Sequence, residues 1–146
     1  MSNGIAGRGH APVTAQVPYE RILDAASEPG SWLTYSGSYG AQRYSTLDQI
    51  TRENVGSLQL AWSWALEPGT QQTTPLVHDG VMYLASPGNV IHALDAANGD
   101  LIWEYRRQFE SAAGSRGQTR GLSIYGDKVF LNTADAHLVA LDANTG

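Results

Sequence analysis

The sequence contains no cysteine, which excludes disulfide bonds and thiolate metal sites. It has no apolar run near the roughly 18 residues that a membrane-spanning helix requires. Charged residues make up only 16% of the chain, and the net charge of −5 gives no reason to expect binding to nucleic acid or to an anionic membrane surface. Residues 1–16 lack the apolar stretch of a signal peptide. The sequence therefore leaves open a cytoplasmic protein and an exported protein whose signal has been removed.

Glycine and aromatic residues are abundant, with 16 Gly, four Trp and seven Tyr, and this composition favours short strands joined by tight turns. Small residues dominate 1–17, which we interpret as a flexible arm. The pattern predicts a short helix over 18–27, with Ile22, Leu23 and Ala26 on one side, and a single helical turn within 51–58. Residues 58–66 alternate as in a strand. One face of this predicted strand consists of Leu58, Leu60, Trp62 and Trp64.

A long internal repeat dominates the second half of the chain. Residues 74–99 align without a gap on residues 121–146, at a constant offset of 47. A repeat of 40–50 residues that contains several short strands is typical of a β-propeller blade. The sequence therefore predicts an all-β propeller fold.

The predicted strands of the first copy lie at about 74–78, 81–85, 90–95 and 101–105, and the second copy has room for three. About one and three-quarter blades cannot close a ring, and they would leave sheet edges open. We therefore expect the chain to be an N-terminal fragment of a larger propeller. In closed propellers an N-terminal strand often completes the last blade, and we assign that role to the strand predicted near 58–66.

The phrase ALDAANG at 93–99 recurs as ALDANTG at 140–146. Asp95 and Asp142 are predicted to cap a turn through their side chains, and Gly99 tolerates a positive φ there. Trp103 follows this turn and offers a flat surface, with an indole N–H that needs an acceptor, to a neighbouring blade. Because the aspartates occur once in each copy, we interpret them as structural residues and not as catalytic acids.

Residues 18–146 resemble the N-terminal part of pyrroloquinoline-quinone (PQQ)-dependent dehydrogenases of the methanol/ethanol dehydrogenase family. The family's blade motif, Ala-x-Asp-x-x-Thr-Gly-x-x-x-Trp, is matched at 93–103 with Asn98 in place of Thr. The stretches WLTYSGSYGAQRYSTLDQITRENVGSLQLAWSW and TPLVHDGVMYLASPGNVIHALDA are similar to the segments that open the family's propeller. On this resemblance the chain comprises an N-terminal segment over 18–66, a first blade at about 74–105 and a partial second blade at about 119–146.

The resemblance implies an eight-bladed propeller with PQQ on its axis, beside Ca²⁺ or a lanthanide ion. PQQ would take a hydride from a small-molecule alcohol, and the electrons would pass to cytochrome c or a quinone acceptor. The resemblance also implies a periplasmic protein, with peripheral association with a membrane as a further expectation. The metal ligands and the catalytic aspartate of the family are expected beyond residue 146, so we expect this chain alone to be inactive.

Four residues match positions that contact the cofactor in the family. Arg120, in TRGLSIYG, corresponds to an arginine that hydrogen-bonds the quinone, and Gln72 falls where close relatives carry a Glu; Thr73 and Thr74 are weaker candidates. Gly114 and Ser115 lie where well-known members carry two adjacent cysteines, whose disulfide forms one wall of the pocket. That wall cannot exist as a disulfide here, and the surrounding residues 110–118 are equally well interpreted as an ordinary loop.

The four histidines show no metal-ligand spacing, and we interpret all of them as structural or exposed: His10, His78, His92 and His137. Trp62, Trp64 and Trp103 are expected to serve blade packing. The alternative function is a non-enzymatic propeller that acts as a protein-binding scaffold, because the same repeat also builds such proteins, and the missing cysteines and Gln72 fit that alternative.

Overall fold

Two antiparallel sheets follow one another in the computed structural model, which describes residues 16–108 and 119–146. The first sheet has the strand order β1–β2–β3–β4, and the second has the order β5–β6–β7. The strands are β1 Leu76–His78, β2 Val81–Ser86, β3 Val90–Asp95, β4 Leu101–Arg106, β5 Ser123–Tyr125, β6 Lys128–Asn132 and β7 Leu138–Asp142. All seven predicted strands are confirmed, and β5 and β6 begin 47 residues after β1 and β2.

The core between the two sheets centres on an aromatic pair from the first sheet. Tyr83 on β2 and Trp103 on β4 have ring centroids 6.0 Å apart. The Tyr83 hydroxyl and the Trp103 Nε1–H both donate to the carbonyl oxygen of Ala143, at 3.1 Å and 3.0 Å. These two buried donors are therefore satisfied by the second sheet, which fixes how the sheets pack.

A tryptophan–glycine contact occurs twice in the molecule. A Cβ atom added to Gly146 would lie 2.8 Å from the ring of Trp103, and one added to Gly99 would lie 2.7 Å from the ring of Trp62. The Trp62 Nε1–H donates to the carbonyl oxygen of Ala96 at 3.1 Å, as the Trp103 Nε1–H does to that of Ala143. Trp62 thus lies against the first sheet as Trp103 lies against the second, and the predicted packing role of both residues is confirmed.

The strand predicted over 58–66 is wrong for the part of the chain that the structure describes. The segment makes no strand pairing, and the side chains of Leu58 and Leu60 are 59% and 82% exposed. Only Trp62 and Trp64 are half-buried. Alternation favours an extended segment, but a strand also needs a neighbour for its backbone N–H and C=O groups, and no described segment lies alongside this one. Its role in completing a last blade stays a prediction.

The helix predicted over 18–27 forms as two shorter pieces. α1 spans Tyr19–Leu23, and a 3-10 turn spans Ala25–Ser27 after the chain leaves helical geometry at Asp24. Ile22 is buried, whereas Leu23 is 61% exposed, so the predicted common apolar face is wrong. Too few turns form to line up residues four apart on one side. The single turn predicted within 51–58 is confirmed as a 3-10 turn over Val55–Ser57.

The N-terminal segment crosses the free edges of both sheets. Val17 pairs with Gly126 in the β5–β6 turn, and Trp32 pairs with Val77 of β1. Val17 is fully buried, so its assignment to a flexible arm is wrong, because a paired backbone and a buried side chain tie it to the second sheet. Residues 1–15 of the predicted arm lie outside the described residues.

Candidate functional site

The predicted cofactor residues that the structure describes lie at one end of the sheets, which we call the amino end because β1 and β5 begin there. Gln72 precedes β1 by four residues and Arg120 precedes β5 by three. The offset of 47 places Arg120 at the repeat position of Thr73. Because neighbouring strands are antiparallel, the turn between β2 and β3 and the end of β4 lie at the same end.

Gln72 is exposed between two residues that are tied to β2. The Gln71 amide and the Thr73 hydroxyl both donate to the carbonyl oxygen of Ala85, at 2.7 Å and 2.8 Å. These bonds hold the backbone on either side of Gln72 while its own side chain stays in solvent. The Thr73 hydroxyl is thus already bonded within the protein, whereas the Gln72 side chain is exposed and free to contact a ligand.

Arg120 is also exposed, and its guanidinium makes no hydrogen bond or ion pair with any of the residues described. Its neighbours are held in place. The Thr119 hydroxyl donates to Asn89 Oδ1 at 3.3 Å, and Leu122 is buried. A Cβ atom added to Gly121 would lie 3.3 Å from the ring of Tyr35. A fixed backbone therefore presents a free guanidinium at the amino end of β5.

Two residues near this point were missed by the sequence analysis. The Arg43 guanidinium lies 4.8 Å from the centre of the Tyr35 ring, the same ring that packs against Gly121. A cation over an aromatic face is electrostatically favourable. Arg43 and Gly121, the residue after Arg120, therefore lie against the same ring. The sequence carries no periodic pattern that reveals this contact, because Tyr35 and Arg43 lie in an irregular segment and Gly121 lies far along the chain.

Gly114 and Ser115 lie outside the described residues, so the structure does not describe the predicted wall of the pocket. Residues 16–108 and 119–146 contain no group of three or more His, Asp or Glu side chains that could hold a metal ion. Among the helices in those same ranges, none is long and apolar enough to span a membrane.

A cluster at the other end of the first sheet shows what one of the histidines does. The Arg21 guanidinium bonds both Glu28 carboxylate oxygens, at 2.7 Å and 2.8 Å, and lies 2.6 Å from His78 Nε2 and 2.5 Å from Asp79 Oδ1. Since an arginine can only donate, His78 Nε2 is the acceptor. The Arg21 guanidinium lowers the pKa of Glu28, and burial lowers the pKa of His78. The cluster joins α1 to the β1–β2 turn.

His92 takes part in a second buried network. Its Nε2 lies 3.1 Å from Glu104 Oε2, its Nδ1 lies 3.4 Å from Ser86 Oγ, and its ring meets that of Trp64 edge-on. The three residue types are those of a nucleophilic triad, but Ser86 is 1% exposed and no substrate can reach it. His137 is exposed. The prediction that the histidines are structural or exposed is confirmed for His78, His92 and His137, while His10 lies outside the described residues.

A shallow cavity in the N-terminal segment does not coincide with the predicted site. It lies between the 3-10 turn at Ala25–Ser27 and residues 37–46, and Trp32 forms part of its wall. None of the predicted cofactor residues lines it. The amino end of the sheets therefore remains the candidate site.

A four-stranded antiparallel sheet followed along the chain by a three-stranded one, with a tryptophan of the first packed on a glycine at the end of the second, is typical of consecutive blades of a β-propeller. Residues 32–146 match the family "Glucose/ethanol/alcohol dehydrogenase, beta-propeller domain" of PQQ proteins. The chain belongs to this family of PQQ-dependent dehydrogenases.

The individual proteins that are similar to this chain are quinone-dependent and quinohemoprotein alcohol dehydrogenases. The chain is 44% identical to the alcohol dehydrogenase (quinone) dehydrogenase subunit of Komagataeibacter europaeus over 132 residues, which are 87% of this chain and 18% of that protein. It is 41% identical to a solved quinohemoprotein alcohol dehydrogenase of Pseudomonas putida, with a TM-score of 0.80 over 93% of this chain and 21% of that one. The chain is also 38% identical to the solved quinohemoprotein alcohol dehydrogenase of Comamonas testosteroni, with a TM-score of 0.81 over 89% of this chain and 20% of that one. The chain thus spans about a fifth of the length of these relatives.

Proposed function

We propose that these residues form the opening blades of a full-length dehydrogenase that oxidises an alcohol by hydride transfer to bound PQQ and passes the electrons to cytochrome c or a quinone. The single observation that carries the proposal is the unpaired Arg120 guanidinium at the amino end of β5, within a chain that matches the PQQ-dependent family over residues 32–146. The similar proteins named above are quinone-dependent and quinohemoprotein alcohol dehydrogenases.

The side chains at the amino end fit an anionic, oxygen-rich cofactor. Arg120 offers a planar fork of donors that no described residue occupies, and Gln72 offers a neutral amide that both donates and accepts. Arg43 adds a positive charge over the Tyr35 ring, which also packs against Gly121. Carboxylate and quinone oxygens are the groups that a guanidinium recognises through charge-assisted hydrogen bonds.

Within this proposal the chain's own residues bind and orient; they do not transfer protons. PQQ, when bound, supplies the hydride-accepting chemistry. Arg120 would donate hydrogen bonds to its oxygens and stabilise the negative charge that grows there during reduction. Gln72 would hold the cofactor's edge through its amide. Gly114 and Ser115 would line the pocket without the disulfide that the family's well-known members carry.

Three finer features of the proposal rest on the family alone. A Ca²⁺ or lanthanide ion would bind next to the cofactor, through side chains outside the described residues. Support for a lanthanide comes from the 34% identity and TM-score of 0.75 to a europium-containing methanol dehydrogenase, over 87% of this chain and 23% of that one. A periplasmic location and peripheral membrane association complete the proposal. The scaffold alternative is not favoured, because the similar proteins cited are named as enzymes.

The test uses the full-length protein, reconstituted with PQQ and either Ca²⁺ or a lanthanide. We expect reduction of an artificial electron acceptor in the presence of primary alcohols. Arg120→Ala should weaken PQQ binding by about 10- to 100-fold, the cost of losing hydrogen bonds from a charged donor. Arg120→Lys should restore part of that loss, since lysine keeps the charge but not the fork.

Arg106→Ala is the matched control. This arginine is also exposed at the amino end, but its guanidinium is paired with Glu67 at 2.6 Å. Its removal should leave PQQ affinity within twofold. If no alcohol supports dye reduction at saturating PQQ with any of these metals, the enzyme proposal is wrong and the scaffold alternative gains.

A further inference from the structure

The turn between β2 and β3 carries a buried polar side chain that the fold alone does not need. Asn89 has a positive φ of 55°, and its side chain is 1% exposed. The equivalent residue of the second sheet, 47 positions later, is Ala136, with a φ of 60°. The same turn therefore forms with alanine, an exposed residue without a polar side chain. The Asn89 amide therefore makes a contact that the turn itself does not require.

Asn89 contacts both residues that flank the predicted pocket wall. Its Oδ1 accepts from the Thr119 hydroxyl at 3.3 Å, and its backbone oxygen accepts from the Arg107 N–H at 3.4 Å. Arg107 and Thr119 border residues 108–118, which include the positions of Gly114 and Ser115. One residue therefore ties together the two points at which the chain leaves β4 and approaches β5.

The turn itself is anchored to both sheets. Val90, which follows Asn89, pairs with Arg106 of β4. The Arg107 guanidinium bonds Asp135 of the β6–β7 connection at 2.7 Å, so the residue that contacts the Asn89 backbone is also held by the second sheet. Asn89 is therefore a fixed reference point, and Thr119, bonded to it, immediately precedes Arg120.

We propose that Asn89, through its hydrogen bond with Thr119, is a positioning residue that holds Arg120 in the orientation required to bind the quinone cofactor. This inference rests on the cofactor role proposed above for Arg120. An exposed guanidinium samples many rotamers, and a fixed backbone reduces the conformational entropy lost when the ligand binds. The Arg120 side chain itself makes no hydrogen bond or ion pair with the described residues.

The test compares PQQ affinity, measured by quenching of tryptophan fluorescence in the full-length apoprotein, with the melting temperature of each variant. Asn89→Gly removes the acceptor and tolerates the positive φ. Thr119→Val removes the donor at nearly constant shape, and Thr119→Ser keeps it. We expect Asn89→Gly and Thr119→Val each to weaken PQQ binding by about tenfold. The double variant should be no weaker than either single variant, because both remove the same bond.

Two variants separate positioning from stability. Thr119→Ser should bind PQQ within about twofold of the unmodified protein. Ala136→Gly, at the equivalent turn of the second sheet, should leave PQQ affinity unchanged. If Thr119→Val binds PQQ normally while Asn89→Gly lowers both affinity and melting temperature, Asn89 supports the fold only and the inference is overturned.

The failure of the inference can be told apart from failure of the proposed function. If Arg120→Ala weakens PQQ binding but Asn89→Gly and Thr119→Val do not, Arg120 binds the cofactor without help from Asn89, and only the inference is wrong. If Arg120→Ala itself leaves the affinity unchanged, the cofactor role of Arg120 fails, and the positioning role fails with it.

Discussion

The two sheets repeat each other in the contacts that join blades and differ at the end where the predicted cofactor residues lie. The contact of Trp62 with Gly99 is reproduced by that of Trp103 with Gly146. At the amino end, by contrast, Thr73 of the first sheet stands at the position of Arg120 in the second. The hydroxyl of Thr73 is bonded to β2, whereas the guanidinium of Arg120 is exposed. A residue that recurs at the same position in both sheets stabilises the packing of the sheets. A residue that differs between the two sheets can contribute to the candidate site.

This difference follows from what each contact has to do. Every blade must bury one face against the next, so the same tryptophan, glycine and carbonyl geometry solves the same problem each time. A ligand near a propeller's axis meets each blade only once, and each blade can therefore present a different side chain to it.

The largest effect is expected from Trp103→Ala. The Trp103 side chain is 8% exposed, packs on Gly146, and donates its Nε1–H to the Ala143 carbonyl oxygen. Its removal should lower the free energy of unfolding of the full-length protein by about 3–5 kcal/mol, measured by urea denaturation. Trp103→Phe should recover much of this loss, since it restores packing without the hydrogen bond. A loss below about 1 kcal/mol for Trp103→Ala would contradict the packing role.

A smaller loss is expected from Gly99→Ala, for two separable reasons. Gly99 has a positive φ of 78°, which any other residue adopts at a cost of about 1 kcal/mol. The added Cβ would also lie 2.7 Å from the Trp62 ring, and relief of that overlap costs roughly 1–3 kcal/mol more. The loss is again measured by urea denaturation of the full-length protein.

Gly80→Ala provides the matched control for this glycine. Gly80 has a φ of 80°, but a Cβ atom added there meets nothing within 4 Å. Its replacement should therefore cost only the backbone part of the penalty. If Gly80→Ala and Gly99→Ala lowered the free energy of unfolding equally, Trp62 would not pack tightly against Gly99. The repeated tryptophan–glycine contact would then be contradicted.

The unrepeated residue His78 should make stability depend on pH. Burial lowers its pKa below the ordinary value of 6.5, so the folded protein favours the neutral ring. Its contribution is complete above about pH 6.5, and it is lost as the pH falls through the lowered pKa. Protonation would also place two cations face to face, because Nε2 accepts from Arg21. We expect the urea midpoint of the full-length protein to fall between pH 7 and pH 5.

His78→Gln should flatten this pH dependence, since glutamine keeps an acceptor for Arg21 and does not titrate. His137→Gln, at an exposed histidine, should leave the dependence as it is. Keeping the range above pH 5 separates His78 from Glu28, whose pKa is lowered from the ordinary value of 4.5 by Arg21. If the urea midpoint of His78→Gln changed with pH as steeply as that of the unmodified protein, a group other than His78 would be responsible for the pH dependence.

The sequence predicted the repeated part of the fold and much less of the rest. Six of the seven strands lie in the two segments aligned at the offset of 47, which follow the same local rules twice, and β4 was predicted separately as the fourth strand of a blade. The tryptophan contacts followed from the position of Trp103 after its turn. The segment around Leu60 was wrongly assigned as a strand, because alternation records which side chains face inward but says nothing about whether a neighbouring strand is present.

The candidate site was predicted through motif positions, and its supporting contacts were not predicted. Gln72 and Arg120 were found because they lie within recognisable phrases. The Asn89–Thr119 bond and the placement of Arg43 over Tyr35 join residues 30 and eight positions apart, with no periodic pattern to reveal them. Contacts between loops depend on how the chain packs, so a single sequence carries little local signal for them.

The smallest effect on stability is expected from Asp95 and Asp142, the equivalent aspartates of the two repeat copies. Asp142 Oδ1 accepts from the N–H groups of Asn144 and Thr145, at 2.9 Å and 3.1 Å, and Asp95 Oδ1 accepts from that of Ala97 at 2.8 Å. Replacing either aspartate with Ala should cost about 1 kcal/mol, the net value of a turn hydrogen bond. Measured by urea denaturation with alcohol oxidation assayed in parallel, both variants should lose stability and keep normal activity at saturating cofactor. A variant that lost activity without losing stability would give that aspartate a chemical role, and repetition along the chain would no longer distinguish residues that serve the sheet from residues that serve the site.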